Sequence, residues 1–305
     1  MSTVRRIKIA QFAATIALLV GLPVGAAAQT APPPTAAGTL TTQDPDLDDL
    51  GINELVPDFA LTALPTTLRM PAGKFAFRMT HRFSRPIAGT CPDEGPKPGG
   101  CGGIGAFVEN FFGFDSSSRV GLELRYGLMP GTQLSLHRTN DRAIQIQAQS
   151  QLLRQTDARP VTLDLVGAIE GRNNFREDHT ISAGVVLSHQ VTDRGAVYVQ
   201  PVLLFNSNPS SDTDTDDNHT VMLGFGGRLR LGQSKMYLVA EAAPRLAGYK
   251  PGVDHISFGF EHRAGGHMFQ LNVSNALGST LRQVALGGPG NGDWFLGFNL
   301  SRRFF

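Results

Sequence analysis

From Lys74 to the C-terminus, apolar and polar residues alternate in many short segments. Phe75, Phe77 and Met79 alternate with arginine and threonine, and between Ile144 and Leu152 every second residue is glutamine. A period of two is typical of a β-strand with one apolar and one polar face. We therefore predict an all-β region of about twelve strands, near residues 75–82, 120–126, 133–138, 144–152, 161–170, 181–189, 196–205, 221–230, 236–242, 256–261, 268–274 and 294–305.

The connections between these segments alternate between long polar loops and tight turns. The loop 84–118 is long and the turn 129–132 is tight, and similar pairs follow along the chain, including a longer connection predicted at 171–180. Short turns on one side and long loops on the other are typical of a bacterial outer-membrane barrel with an even number of strands. We predict a transmembrane, antiparallel, up-and-down β-barrel with short periplasmic turns and longer external loops. A soluble sandwich or closed soluble barrel would produce the same alternation and stays the alternative.

The last strand carries an apolar face up to the C-terminal residues. Phe298, Leu300 and Phe304 share one face, and polar residues such as Asn299 and Ser301 lie between them. A terminal aromatic strand of this kind is typical of the segment that the outer-membrane insertion machinery accepts, and a barrel leaves no open sheet edge. We predict that these three side chains face lipid and form the insertion signal.

The N-terminal region divides into two parts. Basic residues, an apolar run and Ala26-Ala27-Ala28 indicate a signal peptide over residues 1–28 that is removed on export. Residues 29–72 form a Pro-rich, acidic lead expected in the periplasm, whose more apolar part, 53–68, is expected to dock at the inner end of the barrel. The barrel follows over 73–305, so the predicted location is the bacterial outer membrane.

Two cysteines, Cys91 and Cys101, enclose a loop rich in proline and glycine. In an exported chain such a pair most simply forms a disulfide, and no further cysteine or histidine stands nearby at the spacing of a metal site. We predict a Cys91–Cys101 disulfide in the first external loop.

Several segments resemble a bacterial β-barrel family known as domain-of-unknown-function family 5777. They are H-R-F at 81–83, F-F-G-F-D at 111–115, G-G-H-M-F-Q-L at 265–271 and G-F-N-L-S-R at 297–302. The resemblance covers roughly residues 70–305. It implies an outer-membrane barrel and brings no catalytic residues, ligands or cofactor.

Residues that could carry chemistry are few. No histidine lies in an evident cluster of metal ligands, and Asp212, Asp214 and Asp216 have calcium-loop spacing without the glycine and glutamate that complete such a loop. These aspartates are expected to form a solvated loop, with cation bridging to lipopolysaccharide phosphates as the alternative. A barrel hydrolase would need a paired serine and histidine, for which Ser135 and His137 share a strand face. We predict no enzyme activity, no metal and no cofactor.

The polar faces of the strands predict the character of the lumen. With the apolar faces turned to lipid, six cations and five anions are expected to point inward, together with the glutamines of 145–151. The charged residues are Arg78, Arg82, Glu123, Arg125, Asp164, Glu170, Arg228, Arg230, Glu241, Glu261 and Arg303. A nearly neutral, wet interior of about twelve strands is compatible with a narrow passive pore for small polar solutes. The same charges would also fit a structural or surface-interaction barrel without conductance, and a lipid hydrolase is the third possibility.

The predicted partners follow from the expected location in the outer membrane. They are outer-membrane lipid, lipopolysaccharide and the insertion machinery, and the solute is unknown. A formal net charge of +1 gives no indication of nucleic-acid binding.

Overall fold

The computed structural model describes residues 56–88, 105, 108, 117–208, 217–290 and 292–304. These residues form one antiparallel sheet that closes into a barrel. The strands are β1 (Phe75–Ala88), β2 (Ser118–Met129), β3 (Thr132–Thr139), β4 (Ile144–Leu153), β5 (Thr162–Arg172), β6 (Glu177–Gln190), β7 (Gly195–Phe205), β8 (Thr220–Arg230), β9 (Met236–Ala243), β10 (Arg245–Gly248), β11 (His255–Ala264), β12 (His267–Ser274) and β13 (Trp294–Phe304).

The thirteen segments make twelve barrel strands, as the alternation predicts. Consecutive strands pair as antiparallel neighbours, and β1 pairs with β13, from Phe75 opposite Phe304 to Arg82 opposite Gly297. The segments β9 and β10 are one strand interrupted at Pro244, because proline has no N–H to donate to a neighbouring strand. Both segments pair with β8, which completes the closure.

The two ends of the barrel differ as predicted. At one end, here called the turn end, strands are joined by short connections such as 130–131 and 265–266, and Phe75 and Phe304 lie there. The other end, the loop end, carries longer connections such as 206–219 and 275–293. The prediction of a long connection at 171–180 was wrong, because β5 and β6 extend further and leave only residues 173–176 between them. Asn173, Asn174 and Phe175 make this tight reversal with positive φ angles.

The outer surface of the barrel is an apolar belt. Leu122, Leu124 and Tyr126 on β2 are about half exposed. Phe258 on β11 and Leu271 on β12 are exposed to a similar extent. The residues between them point inward and are buried. No helix in the described part of the chain is long and apolar enough to cross a membrane.

Among the described residues, two segments of chain fill the inside of the barrel. Residues 56–70, here called the lumen hairpin, fold back on themselves through bonds from Leu61 N to Leu64 O (2.8 Å) and from Thr66 N to Phe59 O (2.9 Å). The hairpin leads into β1 at the turn end, and all its residues except Arg69 are buried. From the loop end, the short helix α1 (Leu281–Leu286) reaches the same interior, where Val284 and Ala285 share an apolar cluster with Ala63 and Leu64.

Only residues 56–72 of the predicted lead are described, and the part over 56–70 lies within the barrel. The expectation that residues 53–68 dock at its inner end therefore underestimates how far this segment enters. The predicted signal peptide and the Cys91–Cys101 pair lie outside the described residues, as do Asp212, Asp214 and Asp216.

Candidate functional site: the lumen and its hairpin

The tip of the lumen hairpin is held by one carboxylate. Glu241 on β9 accepts hydrogen bonds from the backbone N–H groups of Thr62 (3.0 Å), Ala63 (2.9 Å) and Leu64 (3.1 Å). The side chain of Glu241 is fully buried, and His255 Nε2 (2.8 Å) and Ser257 Oγ (3.1 Å) contact the same carboxylate. Hydrogen bonds to an ionised acceptor are stronger than neutral ones, so Glu241 is the main anchor of the tip.

Side chains of the barrel wall bind the backbone carbonyls along the hairpin. The wall donors are amides and guanidinium groups, which suit this role because each can reach out from a strand and donate more than one hydrogen bond. The pairs are Arg228 with Ala60 O (2.8 Å), Gln270 with Leu61 O (2.9 Å), Arg78 and Asn299 with Thr62 O (2.6 and 3.0 Å), Gln200 with Pro65 O (2.7 Å), Gln149 with Thr66 O (2.7 Å) and Gln133 with Leu68 O (3.1 Å).

Several charged groups of the lumen form local pairs. Arg228 donates to both oxygens of Glu261 at 2.7 and 3.0 Å, and both side chains are fully buried. Glu123 pairs with Arg125 on its own strand and lies 3.7 Å from Arg78. Burying such charges is favourable only when they are paired and hydrogen-bonded, and these pairs meet that condition. Arg82, which is also buried, instead donates to His81 O (3.1 Å) and Asn299 Oδ1 (2.9 Å).

One sector of the inner wall is apolar instead of polar. Phe59, Leu61 and Leu68 of the hairpin share a buried cluster with residues of β5, β6, β7 and β9, including Val186 and Tyr198. Glycines on β8 make room for this contact. A side-chain carbon at Gly226 would lie 2.6 Å from Leu61 Cδ1, and one at Gly224 would lie 3.0 Å from Leu64 Cδ1. The hairpin therefore bonds to a polar wall on one side and packs as an apolar core on the other.

The helix α1 closes the interior from the loop end. Its first residue, Leu281, donates its N–H to Gln145 Oε1 (2.9 Å), and Arg282 Nη1 lies 3.7 Å from Glu170 Oε1. Thr280 caps the helix by accepting from Gln283 N. Between the hairpin and α1 a cavity of about 20 Å³ remains, lined by Arg78, Glu123 and His137 among others. A space of this size holds about one water molecule.

Comparison with known proteins identifies the family. Residues 58–304 match the sequence model of a family described as "Membrane bound beta barrel domain (DUF5777)". This chain belongs to that family. The resemblance noted from the sequence motifs is thereby confirmed, and the barrel is a membrane-bound one.

The family domain includes all the strands and the lumen hairpin from residue 58 onward. No curated protein matches the chain. Among solved structures, a NanC porin is similar over 76% of this chain and 100% of its own, at 8% identity and a TM-score of 0.49. A porin of Rh. blastica, in a triple-mutant form, is similar over 61% of this chain and 55% of its own, at 14% identity and a TM-score of 0.32.

The structure places the predicted lumen residues on the inner face of this membrane barrel. Nine of them are buried: Arg78, Arg82, Glu123, Arg125, Asp164, Glu170, Arg228, Glu241 and Glu261. Arg230 and Arg303 are half-buried at the turn end. Of the predicted glutamines, Gln145, Gln147 and Gln149 are buried inside and Gln151 is half-buried.

The predicted insertion signal lies on the membrane face of the last strand. Phe298 stacks on His81 with a centroid separation of 4.7 Å, and Phe304 stacks on Phe75 at the same separation. Leu300 lies between Met79 and Phe269 of the neighbouring strands. Their role in insertion stays a prediction.

The serine that contacts His137 is not the one that the sequence suggested. Ser279, in the loop that carries α1, lies 3.3 Å from His137 Nε2, whereas Ser135 only shares the strand face of His137. Sequence spacing gave no signal for this contact, because the two residues are separated by 142 positions. Within the described ranges, no group of three or more His, Cys, Asp or Glu side chains could hold a metal ion.

Proposed function

We propose that this protein is an exported outer-membrane barrel that forms a narrow passive passage for small polar solutes, and that the lumen hairpin gates this passage. The observation that carries the proposal is the contact between the polar wall and the hairpin. Gln133, Gln149, Gln270 and Asn299 bind backbone groups of the hairpin, and water or a polar solute could accept the same hydrogen bonds. Withdrawal of the hairpin would thus leave a wall that is already able to solvate a polar solute.

The path of the chain also allows withdrawal. The hairpin leads directly into β1 at the turn end, and its tip at Thr62 and Ala63 points away from that end, toward α1. It could leave the lumen without threading through the barrel. The balanced charges of the wall favour weak ion selectivity, because no ring of one sign dominates.

A second candidate is a structural or surface-interaction barrel without conductance. The apolar cluster that includes Phe59, Leu61 and Leu68 favours it, because withdrawal would expose this surface to water. In this alternative the hairpin is a permanent core, and the external loops carry the function.

Planar-bilayer conductance with a reversible lock separates these two candidates. Thr67 Oγ1 and Ser188 Oγ lie 2.7 Å apart, so the double variant Thr67→Cys, Ser188→Cys brings two thiols close enough to form a disulfide between the hairpin and β6. For a gated passage we expect small steps from the parent protein, none from the oxidised double variant, and their return after reduction. The parent protein with and without reductant controls for the native Cys91 and Cys101.

Two results would contradict the gated passage. Steps that persist in the locked variant would show that solutes do not use the space occupied by the hairpin. Silence of the parent and of a Glu241→Gln variant, both folded by heat-modifiable gel mobility, would favour the barrel without conductance. A lipid hydrolase would remain as the third candidate, and release of fatty acid from phospholipid vesicles, compared between the parent and Ser279→Ala, would test it.

A further inference from the structure

Three arginines at the loop end are exposed and have no carboxylate partner. Arg138 lies near the end of β3, Arg142 in the turn that follows, and Arg176 in the turn between β5 and β6. All three residues are exposed, and within the described part of the chain no carboxylate lies at ion-pairing distance from any of them. We call these three residues the arginine patch.

The arginine patch is assembled around Asn174. Arg138 Nη1 donates to Asn174 Oδ1 at 2.6 Å, and the backbone N–H of Asn174 donates to Arg142 O at 2.8 Å. Arg176 follows two positions later in the same reversal, which the positive φ angles at 173–175 keep tight. These bonds join two neighbouring turns, so the three arginines lie side by side although they come from different strand connections.

The acidic residues near the patch are already engaged. Asp141 pairs with Arg119 at 2.6 Å, and Asp178 pairs with Arg172 at 2.7 Å. Glu177 accepts a hydrogen bond from an asparagine side chain of its own turn at 2.7 Å. The patch therefore keeps a net positive charge that the neighbouring carboxylates do not neutralise.

The patch lies at the height where the apolar belt ends. Arg138 follows Leu136, an exposed member of the belt, on the outer face of β3. On β5, a side-chain carbon at Gly171 would lie 2.8 Å from Phe175 Cδ2, so the ring of Phe175 lies over this position, and it meets the ring of His179 edge-on at a centroid separation of 5.0 Å. Aromatic rings are typical of the boundary between hydrocarbon and headgroups. The arginines next to them are thus at the level of lipid headgroups.

We propose that the arginine patch binds phosphate groups of lipopolysaccharide in the leaflet at the loop end. A guanidinium group can donate two parallel hydrogen bonds to one phosphate, and basic clusters at a membrane boundary recognise lipid headgroups. A lipid with more than one phosphate can engage the three arginines together while its acyl chains lie against the apolar belt. The proposal rests on the outer-membrane location proposed above, and it holds whether or not the barrel conducts.

Native mass spectrometry of the detergent-solubilised full chain with added lipid A tests the site. Lipid A is the phosphorylated membrane anchor of lipopolysaccharide. In the triple variant Arg138→Gln, Arg142→Gln, Arg176→Gln we expect lipid A to bind about tenfold more weakly than to the parent, as the loss of three exposed charge contacts would give. Lipid A without its phosphates should bind the parent about as weakly as intact lipid A binds the triple variant.

A matched control and a second variant separate the site from a general effect of charge. The control Arg154→Gln, Arg159→Gln, Arg194→Gln removes three exposed arginines from the turn end and should bind lipid A as the parent does. The variant Asn174→Asp keeps all the arginines but places a carboxylate beside Arg138 Nη1, where it competes with phosphate and should weaken binding. Heat-modifiable gel mobility shows whether each variant is a folded barrel.

Equal binding of lipid A by the parent and the folded triple variant would overturn the proposal, and so would an equal loss in the turn-end control. Phosphatidylglycerol that binds as strongly, with the same dependence on the three arginines, would assign the patch to anionic phospholipid instead of lipopolysaccharide. None of these measurements depends on conductance, so failure of this site can be told apart from failure of the proposed passage.

Discussion

The isosteric change Glu241→Gln should release the tip of the lumen hairpin. Glu241 Oε1 accepts from Ala63 N, His255 Nε2 and Ser257 Oγ, and Oε2 accepts from the N–H groups of Thr62, Ala63 and Leu64. The side-chain amide of glutamine has one oxygen, so it can accept from only one of these two groups of donors. Its NH₂ group would then face the donors of the other group.

The magnitude follows from the three N–H groups at the tip. Each loses a charge-assisted bond or faces an amide donor in a buried site, which costs about 1 kcal/mol or more per group. The total of about 3 kcal/mol corresponds to roughly a hundredfold change in the equilibrium between the docked and released tip. Hydrogen–deuterium exchange resolved to the amides of residues 62–64 measures this change directly.

The matched control is Glu170→Gln. Glu170 is another buried carboxylate of the lumen wall, but it lies beside Arg282 of α1 instead of the hairpin. This control should leave the exchange of residues 62–64 unchanged. Equal protection of these amides in the parent and in Glu241→Gln would refute the conclusion that Glu241 anchors the tip.

Three further predictions concern the barrel as a membrane protein. The detergent-extracted protein should show heat-modifiable gel mobility, and complete extraction into aqueous buffer without detergent would contradict a membrane barrel. Leu300→Asp should slow insertion in a pulse-chase assay by placing a charge on the membrane face at a cost of up to a few kcal/mol, whereas Leu300→Val should insert as the parent does. Mass spectrometry of unreduced peptides from the envelope should find Cys91 joined to Cys101, and two free thiols would disprove the bond.

The alternation of residues by itself determined the strands and the two faces of each, but it fitted a soluble sandwich or a soluble barrel as well as a membrane barrel. A strand places successive side chains on opposite faces, so the sequence was sufficient to assign Phe298 and Leu300 to the outer face and Arg228 and Glu241 to the inner one. The strand count and the contrast between short turns and long loops also followed from local patterns. The connection 173–176 was misjudged, because polar residues such as those at the ends of β5 and β6 can extend a strand pair beyond the apolar belt.

The contents of the lumen were decided by the tertiary structure. Polar inward residues are compatible with an open passage or with a filled interior, since water and a peptide backbone satisfy the same hydrogen-bonding groups. Only the closed barrel brings Glu241 to the tip of the hairpin and Asn299 to Thr62, across sequence separations of 179 and 237 positions. Contacts between residues so far apart arise from the closure of the sheet and the entry of the hairpin, and neither leaves a periodic signal in the sequence.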